Sequence, residues 1–219
     1  MLSAWNDKIT KKYQDYNKLI NENEDIVKLF GGFKVWYSPV KMNPKVLIIG
    51  INPGVGEFRD DKKISINESK VFEYIQDNSE YRLANEIKKV FNDAGLKQIL
   101  VEDTMKTNFY HIITKKQYEI KFGLNKIEKG LFDKYDTFSS KIIKELIGIL
   151  KPTYIFCEGK ASYDKVIRLF GECKYSEWKN NCGFSKFNEN NITVIGCSRQ
   201  FSNIKNKHDV SVMLKDLII

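Results

Sequence analysis

The chain has 219 residues, of which 42% are hydrophobic, so it can bury one sizeable core and is not predominantly disordered. Its 36 Lys and Arg residues outnumber its 28 Asp and Glu residues, and the net charge of +8 weakly favours polyanionic partners such as nucleic acid. The longest apolar runs, such as residues 46–51, are far shorter than the roughly 20 residues of a membrane-spanning helix. The N-terminal residues lack the apolar stretch of a signal peptide, so we expect a cytoplasmic protein that does not contact a membrane.

The four cysteines carry no metal-binding pattern, since no CxxC pair or Cys/His cluster accompanies them. Cys157 and Cys197 lie at the ends of apolar runs, where buried thiols are common. We therefore expect reduced structural cysteines, with no metal and no cofactor.

In the first part of the chain, apolar residues recur at helical spacing over about residues 5–30 and end at a Gly-Gly pair. This pattern predicts an N-terminal segment of one or two helices. Residues 46–51 are a continuous β-branched and leucine run, which predicts a buried strand followed by a tight loop. The polar stretch 55–79 contains embedded aromatic residues and predicts a surface loop of functional interest.

The rest of the chain alternates helical and extended patterns. These predict helices over 83–94, 138–150 and 162–170, and further strands at 108–113, 154–157 and 192–196. The alternation predicts an α/β fold with a mainly parallel, four-stranded sheet, in a single domain spanning 1–219. Ligands bind such sheets beyond the carboxyl ends of the strands, so the loops after residues 51, 113, 157 and 196 are the informative ones.

The string GINPGVG at residues 50–56 is the most distinctive in the chain. It does not fit the phosphate-binding template GxxxxGK[ST], which requires a Lys, or the dinucleotide template GxGxxG, because Arg59 stands where the third Gly is needed. A structural turn explains the glycines but does not require Asn52-Pro53 directly after a buried strand. An amide at Asn52 points towards the crevice beyond the sheet, where it can hold a water or a ligand.

The segment VLIIGINPG (46–54) resembles the first motif of the uracil-DNA glycosylase superfamily, and GINPG is similar to its mismatch-specific and thymine-DNA glycosylase branch. Four further segments resemble the family in the same order: FKVWYSPVKMNPK (33–45), LANEIKKVFNDAGL (83–96), KTNFYHII (106–113) and LKPTYIFCEGKASYDKV (150–166). The resemblance implies a three-layer αβα fold. It also implies a monomeric, metal-free enzyme that excises uracil or a related damaged or mismatched base from double- or single-stranded DNA.

The resemblance implies a role for particular residues. Asn52 aligns with the catalytic Asn, which holds the attacking water rather than deprotonating it, because amides are not bases near pH 7. Ile51 and Asn108 are expected to contact the base, and Phe58 to stack on it, with Phe72 or Tyr74 as alternatives. The residues expected to contact DNA are Lys160, Ser198, Arg199, Gln200, Phe201 and Lys205, with Phe201 and Ile204 as a wedge into the base stack.

The last family motif is absent. Where the family has His-Pro-Ser or Asn-Pro-Ser, this chain has IGCSRQF at residues 195–201. The two histidines have ordinary structural explanations, because His111 falls inside a predicted strand and His208 at the start of a predicted final helix.

Two other functions remain open. The altered last motif favours a catalytically inactive family member that binds nucleic acid or a nucleobase without cleaving it. A nucleotide-binding enzyme that uses the glycine loop for phosphate is a third hypothesis, and the missing Lys argues against it.

Overall fold

A computed structural model of the protein describes residues 1–67, 69–75 and 81–218, so residues 68 and 76–79 of the predicted loop lie outside the described residues. The described α-helices are α1 (Leu2–Asn21), α2 (Glu24–Val27), α3 (Arg82–Asp93), α4 (Lys97–Glu102), α5 (Tyr118–Ile127), α6 (Leu131–Leu150), α7 (Lys160–Ile167) and α8 (Lys207–Ile218). The described strands are β1 (Phe30–Lys34), β2 (Val46–Gly50), β3 (Ile64–Ser65), β4 (Thr104–Asn108), β5 (Ile112–Thr114), β6 (Tyr154–Cys157), β7 (Cys173–Lys179), β8 (Cys182–Phe187), β9 (Thr193–Cys197), β10 (Arg199–Gln200) and β11 (Asn203–Ile204).

The chain divides into two compact units, each made of three segments. Unit 1 comprises Met1–Trp36, Ile51–Asn67 and Asn108–Ile149. Unit 2 comprises Tyr37–Gly50, Glu68–Thr107 and Leu150–Ile219. A single domain over 1–219 stays a prediction. No helix in the described part of the chain is long and apolar enough to cross a membrane.

Unit 2 contains a six-stranded sheet in the order β4-β2-β6-β9-β8-β7. Strands β2, β6 and β9 run parallel to one another, and β8 and β7 extend the sheet antiparallel. The predicted α/β fold with a mainly parallel central sheet is therefore confirmed, but the predicted number of four strands is wrong. The prediction missed β7 because almost every residue of that strand is exposed, and it missed β8 because the buried residues of that strand include Gly183 and Ser185, so neither strand has an apolar run.

Strands β7 and β8 form a hairpin that carries a local turn signal. The two residues between them, Asn180 and Asn181, have φ angles of 51° and 68°. Positive φ at both central residues is typical of the type I′ turn, and asparagine tolerates this left-handed conformation better than most residues.

The predicted strand at 108–113 is also wrong. Strand β4 ends at Asn108, and the chain then turns through residues 109–111 before β5 begins at Ile112. Strand β5 belongs to a separate three-stranded sheet of unit 1, in the order β3-β1-β5. The apolar residues after Asn108 are thus buried in unit 1 and do not continue the central strand.

Helices pack on both faces of the unit 2 sheet. Ile48, Phe156 and Ile195 share a core cluster with side chains of α3 and α8. On α7, Tyr163 packs so closely on Gly196 of β9 that a Cβ at that position would lie 2.5 Å from the ring. The apolar runs of β2, β6 and β9 follow from this arrangement, because a parallel strand covered by helices on both faces has no polar side.

Unit 1 is built around the N-terminal helix, as the spacing of its apolar residues predicts. The buried residues of α1 are Trp5, Ile9, Tyr13, Tyr16 and Ile20, which recur every three or four positions and lie on one side of the helix. Tyr13 stacks on Phe33 of β1 with ring centroids 4.5 Å apart. The Trp5 indole donates a hydrogen bond to the carbonyl of Ile142 in α6, at 3.0 Å.

The cysteines are free thiols, as expected. Cys157 and Cys197 are buried, and burial raises the pKa of the Cys197 thiol to about 12. Cys182 is also buried, and Cys173 is exposed on the hairpin.

Candidate functional site

In unit 1, the loop that follows β2 is fixed by backbone hydrogen bonds to the segment that carries β5. The amide of Tyr110 donates to the carbonyl of Ile51 at 2.9 Å, and the amide of Thr114 donates to the carbonyl of Pro53 at 3.3 Å. These two bonds bracket Asn52. The catalytic candidate therefore lies on a loop whose backbone position is set from both sides.

The Asn52 side chain is held by two acceptors. Its Nδ2 donates to the carbonyl of Pro53 at 2.8 Å and to Oγ1 of Thr114 at 3.0 Å. The Thr114 hydroxyl in turn donates its single proton to the carbonyl of Lys116 at 3.0 Å, so it can only accept from Asn52.

This arrangement determines which way the Asn52 amide points. Both neighbours are acceptors, so the NH₂ group must face them. Both Nδ2 donors are thereby used, and within the part of the chain that the structure describes, nothing donates to Oδ1. Asn52 is partly exposed and presents that oxygen as an acceptor. Sequence reasoning missed Thr114, and its only signal was a hydroxyl residue directly after a short apolar run.

Phe58 is the partly exposed aromatic residue nearest to Asn52 in the chain. It follows the single 3-10 turn Val55–Glu57. The ammonium groups of Lys115 and Lys62 lie 4.6 and 5.5 Å from its ring centroid. Two cations thus lie over the Phe58 ring in cation–π geometry.

The two alternative stacking residues are buried. Phe72 and Tyr74 are only 3% and 0% exposed and belong to the unit 2 core. A ring in that position has no open face, so Phe58 stays the prediction for base stacking.

The other two base-contact candidates are buried. Ile51 is 5% exposed and Asn108 is 3% exposed. The backbone of Asn108 bonds to the ring of His111, whose Nδ1 contacts the Tyr13 hydroxyl from α1. Burial lowers the pKa of His111 to about 3 and raises that of Tyr13, so the imidazole is neutral and the hydroxyl keeps its proton. His111 therefore has the structural role expected of it, in the turn between β4 and β5.

In unit 2, the last-motif segment forms a small hairpin. Strand β10 pairs antiparallel with β11, with Arg199 opposite Ile204. Phe201 lies at the turn with a φ of 54° and is 87% exposed. Ile204 is 4% exposed and packs in the core, so its predicted part in a wedge is wrong. Phe201 as a wedge stays a prediction.

Arg199 is fixed at the base of this hairpin. Its Nη1 donates to the carbonyl of Phe201 at 2.8 Å. Its side chain lies over Gly159, just before α7, where a Cβ would be 3.2 Å from Nε. The guanidinium is partly exposed and retains further donors for an anion.

The remaining DNA-contact candidates differ in their exposure and in the contacts that they already make. Lys160 pairs with Asp164 and lies 4.6 Å above the Trp178 ring, so its charge is partly satisfied. Ser198 is held through its backbone, which donates to the carbonyl of Asn181 at 2.6 Å and accepts from the amide of Lys205 at 3.0 Å. Gln200 and Lys205 are exposed, and His208 is exposed in α8, as expected.

Unit 2 also contains a buried ion pair that sequence reasoning missed. Lys106 and Glu158 are each 2% exposed, and Nζ lies 2.7 Å from Oε2. The Tyr74 hydroxyl contacts the same ammonium group. Burial lowers the pKa of Lys106, while the Glu158 carboxylate opposes that shift. A lysine inside a strand gives no sequence signal of a partner 52 residues away.

No protein-family model matches the chain, and no curated protein matches it.

Proposed function

We propose that the protein is a DNA base-excision glycosylase with a three-layer αβα fold like that of the uracil-DNA glycosylases. It hydrolyses the N-glycosidic bond of uracil or a related damaged or mismatched base. Two things support the proposal: the five ordered segments that resemble the superfamily, and the fixed amide of Asn52, which aligns with the catalytic Asn of that family.

The orientation of Asn52 is the observation that carries the proposal. A water that attacks the sugar needs an acceptor to hold one of its protons and aim its oxygen. The Oδ1 atom supplies that acceptor, and its direction is set by the acceptors Thr114 and Pro53 on the amide nitrogen.

In the proposed reaction, the bond between C1′ and the base nitrogen breaks and its electron pair leaves with the base. The sugar gains oxocarbenium character, and the water oxygen bonds to C1′. The proton that water loses ends on the departed base. An amide does not take up this proton, so Asn52 positions the water without activating it, and we expect a slow enzyme.

The remaining residues contribute to binding. Phe58 stacks on the extruded base, while Ile51 and Asn108 contact it, and the amide of Asn108 offers both donors and an acceptor to a pyrimidine edge. Lys160, Arg199 and the other last-motif residues bind the DNA backbone, with Phe201 inserting into the stack. The protein acts as a monomer.

The test is single-turnover excision from labelled oligonucleotides carrying uracil opposite G, opposite A or unpaired, read by alkaline cleavage of abasic sites. Asn52→Ala should lose on the order of 10²-fold or more in the chemical step, because the water is no longer positioned. Thr114→Val should lose most of the same activity, whereas Thr114→Ser keeps the hydroxyl and should retain it. The exposed Asn92 of α3 provides the matched control, and Asn92→Ala should behave as the parent.

One observation favours the binding function without catalysis. Residues 195–201 contain no imidazole to stabilise the charge on the leaving base. If the parent protein binds the oligonucleotides but releases no uracil, thymine or alkylated base, the catalytic proposal fails and the binding function replaces it.

A further inference from the structure

Helix α5 of unit 1 presents an aromatic face that its own packing does not use. Tyr118 is 63% exposed and Phe122 is 50% exposed, and they lie four residues apart on the same side of the helix. The opposite side is buried: a Cβ at Gly123 would lie 2.5 Å from the ring of Phe30 in β1. The helix is therefore anchored by one face while the two aromatic rings point to solvent.

Positive charge surrounds these rings. Residues 115–129 contain five lysines, all exposed: Lys115, Lys116, Lys121, Lys126 and Lys129. The ammonium of Lys116 lies 5.8 Å from the Tyr118 ring centroid, and that of Lys126 lies 5.8 Å from the Phe122 centroid. We call Tyr118, Phe122 and these lysines the α5 face.

The acidic residues in the same stretch are already engaged. Glu119 accepts a hydrogen bond from the amide of Lys116 at 2.9 Å. Glu128 pairs with Lys134 at 2.5 Å. Five lysines against two glutamates leave the stretch 115–129 with a surplus of three positive charges. The α5 face thus alternates aromatic rings with cations.

We infer that the α5 face binds a single-stranded stretch of nucleic acid, with Tyr118 and Phe122 stacking on unpaired bases and the lysines contacting phosphates. Proteins that bind single strands without sequence preference combine these two elements. Four residues of helix rise about 6 Å along the axis. Bases in a duplex strand are about 3.4 Å apart, so rings at the wider spacing fit a stretched strand and not a stacked one.

The α5 face begins next to the proposed reaction centre. The amide of Asn52 bonds Thr114, and the Thr114 hydroxyl bonds the carbonyl of Lys116, which is the second lysine of the face. A strand whose base is extruded at Asn52 therefore meets Lys115 and Lys116 first and Tyr118 next. The choice of ligand class rests on the proposed function, and the binding assay below does not require catalysis.

A lipid surface is the other partner that aromatic and basic residues can bind, and the packing of α5 argues against it. A helix that lies in a membrane interface inserts a continuous apolar face. Ile120 and Leu124 of α5 are already buried in unit 1, and Ile127 is partly buried. The two exposed rings are flanked by Lys116, Lys121 and Lys126 and do not form such a face.

The test is fluorescence anisotropy of the full chain with a labelled oligothymidylate of about 16 nucleotides, the upper end of typical site sizes. Tyr118→Ser and Phe122→Ser should each weaken binding by about fivefold or more, the loss of one stacked base. Tyr118→Phe should bind as the parent. Lys126→Gln should reduce the slope of log K against log[salt] by about one. Tyr175→Ser is the matched control, because Tyr175 of β7 is 50% exposed and lies in unit 2.

Loss of affinity in both Ser variants, with Tyr175→Ser unchanged, supports the inference. Three results overturn it: unchanged affinity in Tyr118→Ser and Phe122→Ser, an equal loss in Tyr175→Ser, or a parent that binds anionic phospholipid vesicles and not the oligonucleotide. The two proposals fail separately. If the parent excises bases and both Ser variants bind the oligonucleotide normally, the α5 face alone is refuted. If the parent excises no base and both Ser variants bind the oligonucleotide more weakly, catalysis alone is refuted.

Discussion

Lys106→Met should strongly destabilise the protein, because it leaves the Glu158 carboxylate buried without its counter-ion. The two side chains are each 2% exposed, with 2.7 Å between Nζ and Oε2. Glu158 Oε1 is buried and has no hydrogen-bond partner among the described residues. The Tyr74 hydroxyl also hydrogen-bonds the carboxylate, and Lys106 is the cation that balances its charge.

The magnitude follows from the cost of an unpaired buried charge. Removing one partner of a buried ion pair typically costs about 3–5 kcal/mol, whereas an exposed pair contributes about 0–1 kcal/mol. The pair of Lys8 and Glu145 has a similar distance of 2.6 Å, but its side chains are 41% and 35% exposed. Lys8→Met is thus a control in which the contact is the same and the burial differs.

The assay is urea unfolding followed by far-UV circular dichroism, for the parent and for Lys106→Met, Lys8→Met and the double variant Lys106→Met/Glu158→Leu. We expect a large loss for Lys106→Met and at most about 1 kcal/mol for Lys8→Met. The double variant should recover much of the loss, because no unpaired charge remains. Equal losses for Lys106→Met and Lys8→Met, or a double variant less stable than Lys106→Met, would refute the reasoning.

Four further predictions concern pH, backbone conformation and DNA. Burial lowers the pKa of His111 from 6.5 to about 3. The contribution of His111 to the free energy of unfolding is therefore complete above pH 6.5 and falls by up to about 1.4 kcal/mol per pH unit as the pH drops towards 3. His111→Gln should flatten that part of the acid stability profile. Gly32→Ala should lower the free energy of unfolding in urea by more than about 1 kcal/mol, because φ is 94° and the new Cβ would lie 2.2 Å from the Lys63 carbonyl oxygen. Gly148→Ala in α6 should raise it by up to about 1 kcal/mol, because its new Cβ meets nothing within 4 Å. DNA affinity should fall linearly in a plot of log K against log[salt], and a flat response in anisotropy would remove nucleic acid as a partner. Arg199→Gln should slow the single-turnover chemical step if the guanidinium stabilises the leaving base, and should weaken only DNA binding if it clamps phosphate. A variant that matches the parent in both the rate and the affinity would contradict both roles.

The sequence by itself predicts the elements whose signals are local. The apolar runs at 46–51, 154–157 and 192–196 mark β2, β6 and β9, because a strand covered on both faces must be apolar at every position. The spacing of Trp5 to Ile20 marks α1, since one helical face must reach the core. The position of Asn52 after a buried strand also follows from the chain alone.

Only the tertiary structure decides which distant side chains meet. Thr114 fixes the amide of Asn52 from 62 positions away, and Lys106 finds Glu158 across 52 positions. The predicted strand at 108–113 divides between the end of β4 and the start of β5, which belong to different sheets, although its apolar residues form one continuous pattern. Periodicity records that a residue is buried but not what it is buried against, because the free energy of burial depends on the area removed from water and not on the partner. Partners are chosen by hydrogen-bond geometry and charge, which act over a few ångströms and exist only once the chain has folded.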